Sequence, residues 1–191
     1  MQSCSIRLDP TIRNCFVDVS DHVGDALGLR YSGEVLRVVS SSNRTSYLTW
    51  SGRRGATSMR VSTDLATCLG LKDGEVVRVS KCYGVVEAKN VEIEPVSSDD
   101  WEMIELNGGH LEQNLLGQIA VVWSNAVLPI WIRNARVRVR VKTNLGDKPL
   151  RLTRDVTQLL VVRTSKGSLH HTQTQQQQQQ RYRNQEIKSR T

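Results

Sequence analysis

The chain has 191 residues with 38% hydrophobic content, enough to bury a core and to form one domain or two small ones. Its formal net charge of +7 is unevenly distributed. Residues 163–191 carry six Lys or Arg side chains and one Glu, whereas residues 1–162 carry 20 basic and 18 acidic side chains. The larger part is nearly neutral, so we expect no nucleic-acid partner, because nucleic-acid-binding domains concentrate basic residues on one folded face.

The four cysteines, Cys4, Cys15, Cys68 and Cys82, show neither a CxxC spacing nor a histidine at zinc-ligand spacing. We therefore expect reduced thiols and no metal site. No apolar run approaches the ~20 residues that cross a bilayer as a helix, and the N-terminus lacks the apolar segment of a signal peptide. These features predict a cytoplasmic protein with peripheral membrane contact only.

Apolar and polar residues alternate through the first half of the chain, as they do in short β-strands. Residues 1–14 show no clear period and predict an irregular start. Strands are predicted at residues 15–19, 33–40, 45–50, 83–88 and 91–94, of which the last two close the first sheet. Two short helices are predicted, one over Asp21–Leu27 and one that follows the N-cap Ser62 and ends at Gly70.

An internal repeat links these two helices to the strands that follow them. The segments Leu27–Val38 and Leu69–Val79 both read Leu-Gly-Leu, a polar turn and then Gly-Glu-Val-x-Arg-Val. Either two short apolar strands resemble each other by chance, or a helix–Gly–turn–strand unit has been duplicated. Two such units, interleaved about a pseudo-twofold axis, would form a double-psi β-barrel.

The stretch Val91–Leu106 is predicted to join two folding units. A strand ends at Pro95, since proline is tolerated at a strand end. Ser97 followed by Asp100 is typical of a helix N-terminus, where acidic side chains are favourable. The apolar residues up to Leu106 predict that this helix is packed rather than exposed. We assign the joint between the units to Pro95, Asp100, Trp101 and Ile104.

The second unit is predicted to contain a helix over residues 110–119 and strands over residues 120–123, 127–132, 136–142, 150–153 and 159–162. The strand 136–142 alternates strictly, with valines on one face and cations on the other. One interpretation is a solvated sheet face whose charge prevents unwanted pairing. The other is a phosphate-binding surface for lipid head groups or an acidic partner, formed by Arg136, Arg138, Arg140 and Lys142.

The predicted fold class is mainly β with short helices (α+β), divided into three segments. Residues 1–96 form a double-psi β-barrel lobe, residues 97–163 a smaller β-barrel lobe, and residues 164–191 a disordered, basic tail. The tail contains Gln175–Gln180 and too few apolar residues to offset the entropy of ordering.

The sequence contains none of three common catalytic or nucleotide-binding motifs. There is no Gly-x-x-x-x-Gly-Lys-[Ser/Thr], Gly-x-Ser-x-Gly or His-Glu-x-x-His. His22 and His110 stand alone, and neither has a neighbouring group that would make it a catalyst. We therefore predict no catalytic, cofactor-binding or metal-binding residues, and no enzymatic activity of this chain.

Five segments together resemble the N-terminal domain of the peroxisome biogenesis factor 1 family of AAA+ ATPases. They are WSG at Trp50–Gly52, the turn LGLKDGEVV, VEIEPVSSDDWEMIEL, HLEQNLLGQIAVV and LPIWI. The resemblance covers roughly Cys15–Val162, and the block Glu94–Trp131 is its specific part. It implies a double-psi barrel lobe followed by a smaller β-barrel lobe. The Gln-rich tail departs from the family pattern.

The resemblance implies a non-catalytic adaptor- or substrate-docking domain that acts in peroxisomal matrix protein import and receptor recycling. The implied partners are a second AAA+ peroxin and a ubiquitinated import receptor or adaptor at the peroxisomal membrane. ATP and Mg²⁺ would belong to ATPase cassettes that this chain lacks. One alternative is the N-domain of another AAA+ unfoldase, which handles ubiquitin-linked substrates or vesicle-fusion adaptors. Another is a small double-psi barrel enzyme, although its catalytic Asp or processed Ser is not found.

Overall fold

The computed structural model describes residues 1–162, except residues 56, 144, 145, 147 and 155. The predicted tail, residues 164–191, lies outside this described part. The elements of the first half are β1 (Gln2–Asp9), β2 (Phe16–Val17), α1 (Asp21–Ala26), β3 (Val35–Val39), β4 (Thr45–Trp50), β5 (Met59–Ser62), α2 (Thr63–Leu69) and β6 (Val76–Lys81).

The second half of the described chain continues this pattern of short strands with a few helices. Its elements are β7 (Val86–Glu87), β8 (Asn90–Pro95), α3 (Ser98–Leu106), α4 (Gly108–Asn114), a 3-10 turn (Leu115–Gly117), β9 (Val121–Val122), β10 (Val127–Ile132), β11 (Ala135–Lys142), β12 (Leu150–Arg151) and β13 (Gln158–Val161). The fold is therefore mainly β with short helices, as the sequence predicts.

Strands β1 to β6 form one six-stranded sheet in the order β2-β4-β3-β6-β1-β5. The two outer strands of this sheet also meet. Asp18, just after β2, and Arg60, in β5, exchange both backbone hydrogen bonds, at 3.2 and 3.0 Å. The sheet thus closes into a barrel and leaves no long edge exposed.

The strand pairing of this barrel has an internal twofold pattern. β2 pairs with β4 in parallel and β1 pairs with β5 in parallel, whereas the other ladders are antiparallel. Exchanging β2 with β5, β3 with β6 and β4 with β1 leaves the set of pairings unchanged. The two halves are therefore interleaved, as expected for the double-psi arrangement.

The two copies of the repeated sequence also share their local geometry. Gly28 and Gly70 follow α1 and α2 with φ of +62° and +69°, a left-handed conformation that ends helices. Leu29 and Leu71 then donate their backbone N–H to the carbonyl five residues earlier, both at 2.9 Å. The two segments occupy equivalent positions in the barrel, which favours the duplicated unit over chance resemblance.

The irregular start predicted for residues 1–14 is wrong, because β1 is a central strand of the barrel. It pairs with β6 through its first half and with β5 through its second half. Only Cys4 and Ile6 of this strand are buried hydrophobic residues. In the sequence, however, Cys4, Ile6 and Leu8 alternate with polar residues, so the two-residue period of a strand is present and the prediction overlooked it.

The prediction that the strands near residues 83–94 close the first sheet is also wrong. β7 pairs with β12, and β8 pairs with β11 and β13. The barrel is already closed by β2 and β5, so it offers no edge to β8. Val91 and Ile93 instead turn the apolar face of β8 toward the core of the second lobe. The division of the chain into domains at residue 96 stays a prediction.

The second lobe consists of a four-stranded sheet, β10-β11-β8-β13, and a three-stranded sheet, β7-β12-β9. Helix α2 of the barrel packs against β10. Tyr47 of β4 contacts Trp123 edge to face, with the ring centroids 5.7 Å apart. One hydrophobic cluster runs through both lobes. No helix in the described residues is long and apolar enough to cross a bilayer.

Candidate functional site

Strand β11 lies between β10 and β8, and it carries the row of cations that the sequence analysis singles out. Its valines at positions 137, 139 and 141 are buried in the core. The side chains between them face outward. Arg136, Arg138 and Lys142 are exposed and Arg140 is half-buried. The structure therefore places the four cations on one outer face of the sheet.

Both ends of this cationic row are engaged in ion pairs. Arg136 Nη1 lies 2.6 Å from Asp64 Oδ1 on α2, so this pair connects the second lobe to the barrel. Lys142 Nζ lies 3.1 Å from Glu94 Oε2 on the neighbouring strand β8. Glu94 is also the direct cross-strand neighbour of Arg140. The row thus presents less free positive charge than its sequence indicates, and a phosphate would meet it chiefly at Arg138 and Arg140.

Asp100 connects the helix α3 to the middle of the cationic strand. Its side chain and Ser97 form a reciprocal capping box at the start of α3. One carboxylate oxygen accepts hydrogen bonds from the Ser97 N–H and hydroxyl, at 3.1 and 2.7 Å. The other accepts the backbone N–H of Arg138, at 3.0 Å. Asp100, which the sequence predicts as an acidic residue at the start of a helix, therefore also fixes α3 to β11.

The other residues assigned to the joint differ in burial. Pro95 is buried beside Val139 of β11, and Ile104 is 4% exposed. Trp101 is only half-buried, and its indole N–H donates to Glu105 at 3.2 Å along the outer face of α3. The prediction that the apolar residues up to Leu106 are packed is wrong for Leu106, which is 73% exposed at the end of the helix.

Gln118 is a joint residue that the sequence analysis missed. Its side-chain amide donates to the Trp131 carbonyl at 2.8 Å and accepts the Trp131 N–H at 2.7 Å. Its own backbone carbonyl accepts the N–H of Cys15 at 2.7 Å, just before β2. The amide thus acts like a short piece of strand beside β10, and the backbone carbonyl ties this part of the second lobe to the barrel. No local sequence signal distinguishes this glutamine from Gln113, which lies five residues earlier, in α4.

No arrangement for catalysis emerges from the described residues. Burial raises the pKa of each of the four thiols, at Cys4, Cys15, Cys68 and Cys82, which disfavours a reactive thiolate. Across residues 1–162, apart from the five that are not described, no three His, Cys, Asp or Glu side chains form a group able to hold a metal ion. The absence of a metal site in the whole chain stays a prediction.

The comparisons with known proteins agree with the resemblance stated above. Residues 89–163 match the family described as peroxisome biogenesis factor 1, N-terminal. This region begins one residue before β8, so it takes in that strand together with the rest of its sheet. Over 125 residues the chain is 36% identical to the peroxisomal ATPase PEX1 of Cricetulus griseus and 34% identical to that of Homo sapiens.

These two matches cover 63% of this chain and 10% of each relative. A third, to the peroxisomal ATPase PEX1 of Dictyostelium discoideum, has 27% identity over 157 residues and covers 78% of this chain and 13% of the relative. The chain thus spans about a tenth of the length of the curated relatives it matches. Residues 89–163 belong to the N-terminal domain family of peroxisome biogenesis factor 1.

Proposed function

We propose that this chain is a non-catalytic docking domain of a peroxisomal AAA+ ATPase, which presents an adaptor or substrate to a motor located elsewhere in the longer protein. One observation carries the proposal: the chain matches the N-terminal family but spans only about a tenth of the relatives named peroxisomal ATPase. ATP and Mg²⁺ would then be bound outside this chain. The relatives' name favours this function over that of another unfoldase.

The partners we propose are a second AAA+ peroxin and a ubiquitinated import receptor or its adaptor, at the cytoplasmic face of the peroxisomal membrane. Biolayer interferometry with the purified full chain tests this directly. We expect saturable binding to at least one of these proteins with a Kd of about 10 µM or tighter.

The result of that experiment separates the two docking functions. Binding to adaptors of vesicle fusion, with no binding to the peroxin or the import receptor, would instead establish the other AAA+ unfoldase. Failure to bind any of these proteins would remove the docking function.

A second, weaker function is peripheral binding to phosphoinositide head groups through the cationic row of β11. The observation that favours it is the exposed position of Arg138 in the middle of a row whose two ends are ion-paired. Contact with an anionic membrane contributes about 1 kcal/mol per basic residue near the surface. Arg138, with Arg140 half-buried beside Glu94, therefore contributes at most about 2 kcal/mol, less than four free cations would.

Replacing Arg138 and Arg140 by Glu is expected to weaken binding to phosphoinositide vesicles at low salt by more than about thirtyfold, because loss of the two cations alone costs about 2 kcal/mol and the new carboxylates are repelled by the membrane. Vesicle flotation with the full chain measures this. Arg37→Glu with Arg78→Glu is the matched control, because it makes the same change in charge on exposed residues of the barrel. An equal loss in both double variants would mean that net charge alone governs binding and that the row is a solvated face.

A further inference from the structure

A half-open groove of about 1150 Å³ lies between the helices α3 and α4 on one side and the strand β13 with the loop that precedes it on the other. Leu111 and Leu115 line it from the helical side, and Leu159 and Val161 line it from β13. None of the cations of the β11 row contributes to its lining. The groove is therefore a separate surface from the candidate site described above.

The base of this groove is apolar and remains partly accessible. Leu116, Leu159 and Val161 pack against the hydrophobic core, yet each is only partly buried. Val156 at the rim is 45% exposed. Concave apolar surface that a fold leaves accessible is typical of a binding site.

Strand β13 gives one wall of the groove the character of a sheet edge. It is the last strand in the order β10-β11-β8-β13, and within the described residues it pairs only with β8. Its other edge therefore has backbone N–H and C=O groups without a partner strand in this part of the chain, next to the residues that line the groove. A peptide backbone can satisfy such groups, whereas an acyl chain cannot.

The helices on the opposite side carry acidic side chains, of which Glu112 is the one that lines the groove among the described residues. Residues 98–114 contain five Asp or Glu side chains and no Lys or Arg. Asp100 is buried and bonded to Ser97 and Arg138, but the other four acids are exposed, and Glu112 lines the groove itself. Arg154 lies on the strand side. A ligand with cations toward the helices and apolar side chains toward the base would complement both surfaces.

We propose that this groove binds a basic, amphipathic peptide segment of a partner protein. Its apolar side chains would cover Leu116, Leu159 and Val161, and its Lys or Arg side chains would face the acidic surface of α3 and α4. The biological setting of this proposal rests on the docking function. Its test uses a synthetic peptide and no peroxisomal protein, so the two proposals can fail separately.

The test is fluorescence anisotropy of a short, labelled amphipathic Leu/Lys peptide titrated with the full chain. We expect saturable binding in the range of about 10–100 µM. A Leu/Glu peptide of the same pattern is expected not to bind. In a ¹H–¹⁵N NMR spectrum, the Leu/Lys peptide should shift the signals of Leu111, Leu116, Leu159 and Val161. Shifts confined to other parts of the chain would overturn the assignment of the groove.

Two variants separate the groove from non-specific attraction between charges. Glu112→Lys is expected to weaken binding of the Leu/Lys peptide at least about fivefold, whereas Glu87→Lys, an exposed acid of β7 outside the groove, should leave it unchanged. Val156→Arg, at the exposed rim, should weaken it without unfolding the chain. Equal effects of Glu112→Lys and Glu87→Lys would overturn the proposal.

The chain's own basic segment, residues 163–191, is the competing occupant of the groove. In that case the Leu/Lys peptide would fail to bind, and added salt alone would shift the signals of α4 and β13. That combination would overturn the proposal of a separate partner. Failure of the peptide to bind without such salt-dependent shifts would overturn it as well.

Discussion

Asp100→Ala is expected to lower the free energy of unfolding by about 3 kcal/mol. The carboxylate is 8% exposed and accepts three hydrogen bonds, two from Ser97 and one from the Arg138 N–H. Alanine would leave these three donors without an acceptor, and each donor that water cannot reach costs about 1–3 kcal/mol of stability. It would also remove the capping box at the start of α3. Urea denaturation followed by tryptophan fluorescence measures the change. The substitution should lower the urea concentration at the midpoint of unfolding and leave the dependence of the free energy on urea concentration unchanged.

The control for this prediction is Asp99→Ala in the same helical turn. Asp99 is exposed, so its loss removes only a favourable interaction with the helix N-terminus, about 0.5 kcal/mol. Asp100→Asn should fall between the two, because an amide retains one oxygen acceptor but places N–H groups toward Ser97. If Asp100→Ala and Asp99→Ala have equal effects, the carboxylate does not hold the helix to the sheet.

Features of the fold that depend on neighbouring residues could be predicted from the sequence. The capping box at Ser97 and Asp100 involves residues three positions apart. The ends of α1 and α2 follow from a glycine that adopts positive φ. The alternation of β11 follows from the two-residue period of a strand. Each of these signals lies within a short window of sequence, where local stereochemistry decides the outcome.

Strand pairing could not be predicted in the same way, because it depends on which edge remains available after the rest of the chain has folded. The apolar face of β8, with Val91 and Ile93, fits a barrel sheet or a second sheet equally well. The backbone exchange between Asp18 and Arg60 closes the barrel and removes the first possibility. The pairing of β8 with β11 is therefore a consequence of contacts far away in the sequence.

The ion pairs of the candidate site could likewise not be predicted from the sequence. The sequence correctly places the four cations of β11 on one face. It does not show that Arg136 pairs with Asp64, since 72 positions separate the two residues. It also treats Trp101 as part of a packed joint, whereas the ring is half-buried and lies along the outer face of α3. The positions of side chains in a strand or helix are predictable, but their distant partners are not.

Gln118→Ala is expected to destabilise the fold by about 3 kcal/mol, although the residue is polar and only half-buried. Its amide forms hydrogen bonds with both the N–H and the C=O of Trp131, at 2.7 and 2.8 Å. Trp131 lies in β10, one of the two edge strands of the four-stranded sheet. Trp131 is 6% exposed, so water cannot easily replace the lost partner. Two backbone groups left unsatisfied cost about 1–3 kcal/mol each. Thermal unfolding and urea denaturation should both show the loss.

Two further variants identify the cause of that loss. Gln118→Glu retains an acceptor for the Trp131 N–H but places a charged oxygen against the Trp131 carbonyl, and this repulsion at a half-buried site should destabilise the fold at least as much as alanine does. Gln113→Ala, an exposed glutamine of α4, should change stability by less than about 0.5 kcal/mol. If Gln118→Glu were as stable as the unmodified chain, the hydrogen bonds of the Gln118 amide to the edge of β10 would not contribute to stability. The contact between the lobes would be unaffected, because it consists of hydrophobic packing, the Arg136–Asp64 ion pair and the main-chain bond from Cys15 to residue 118.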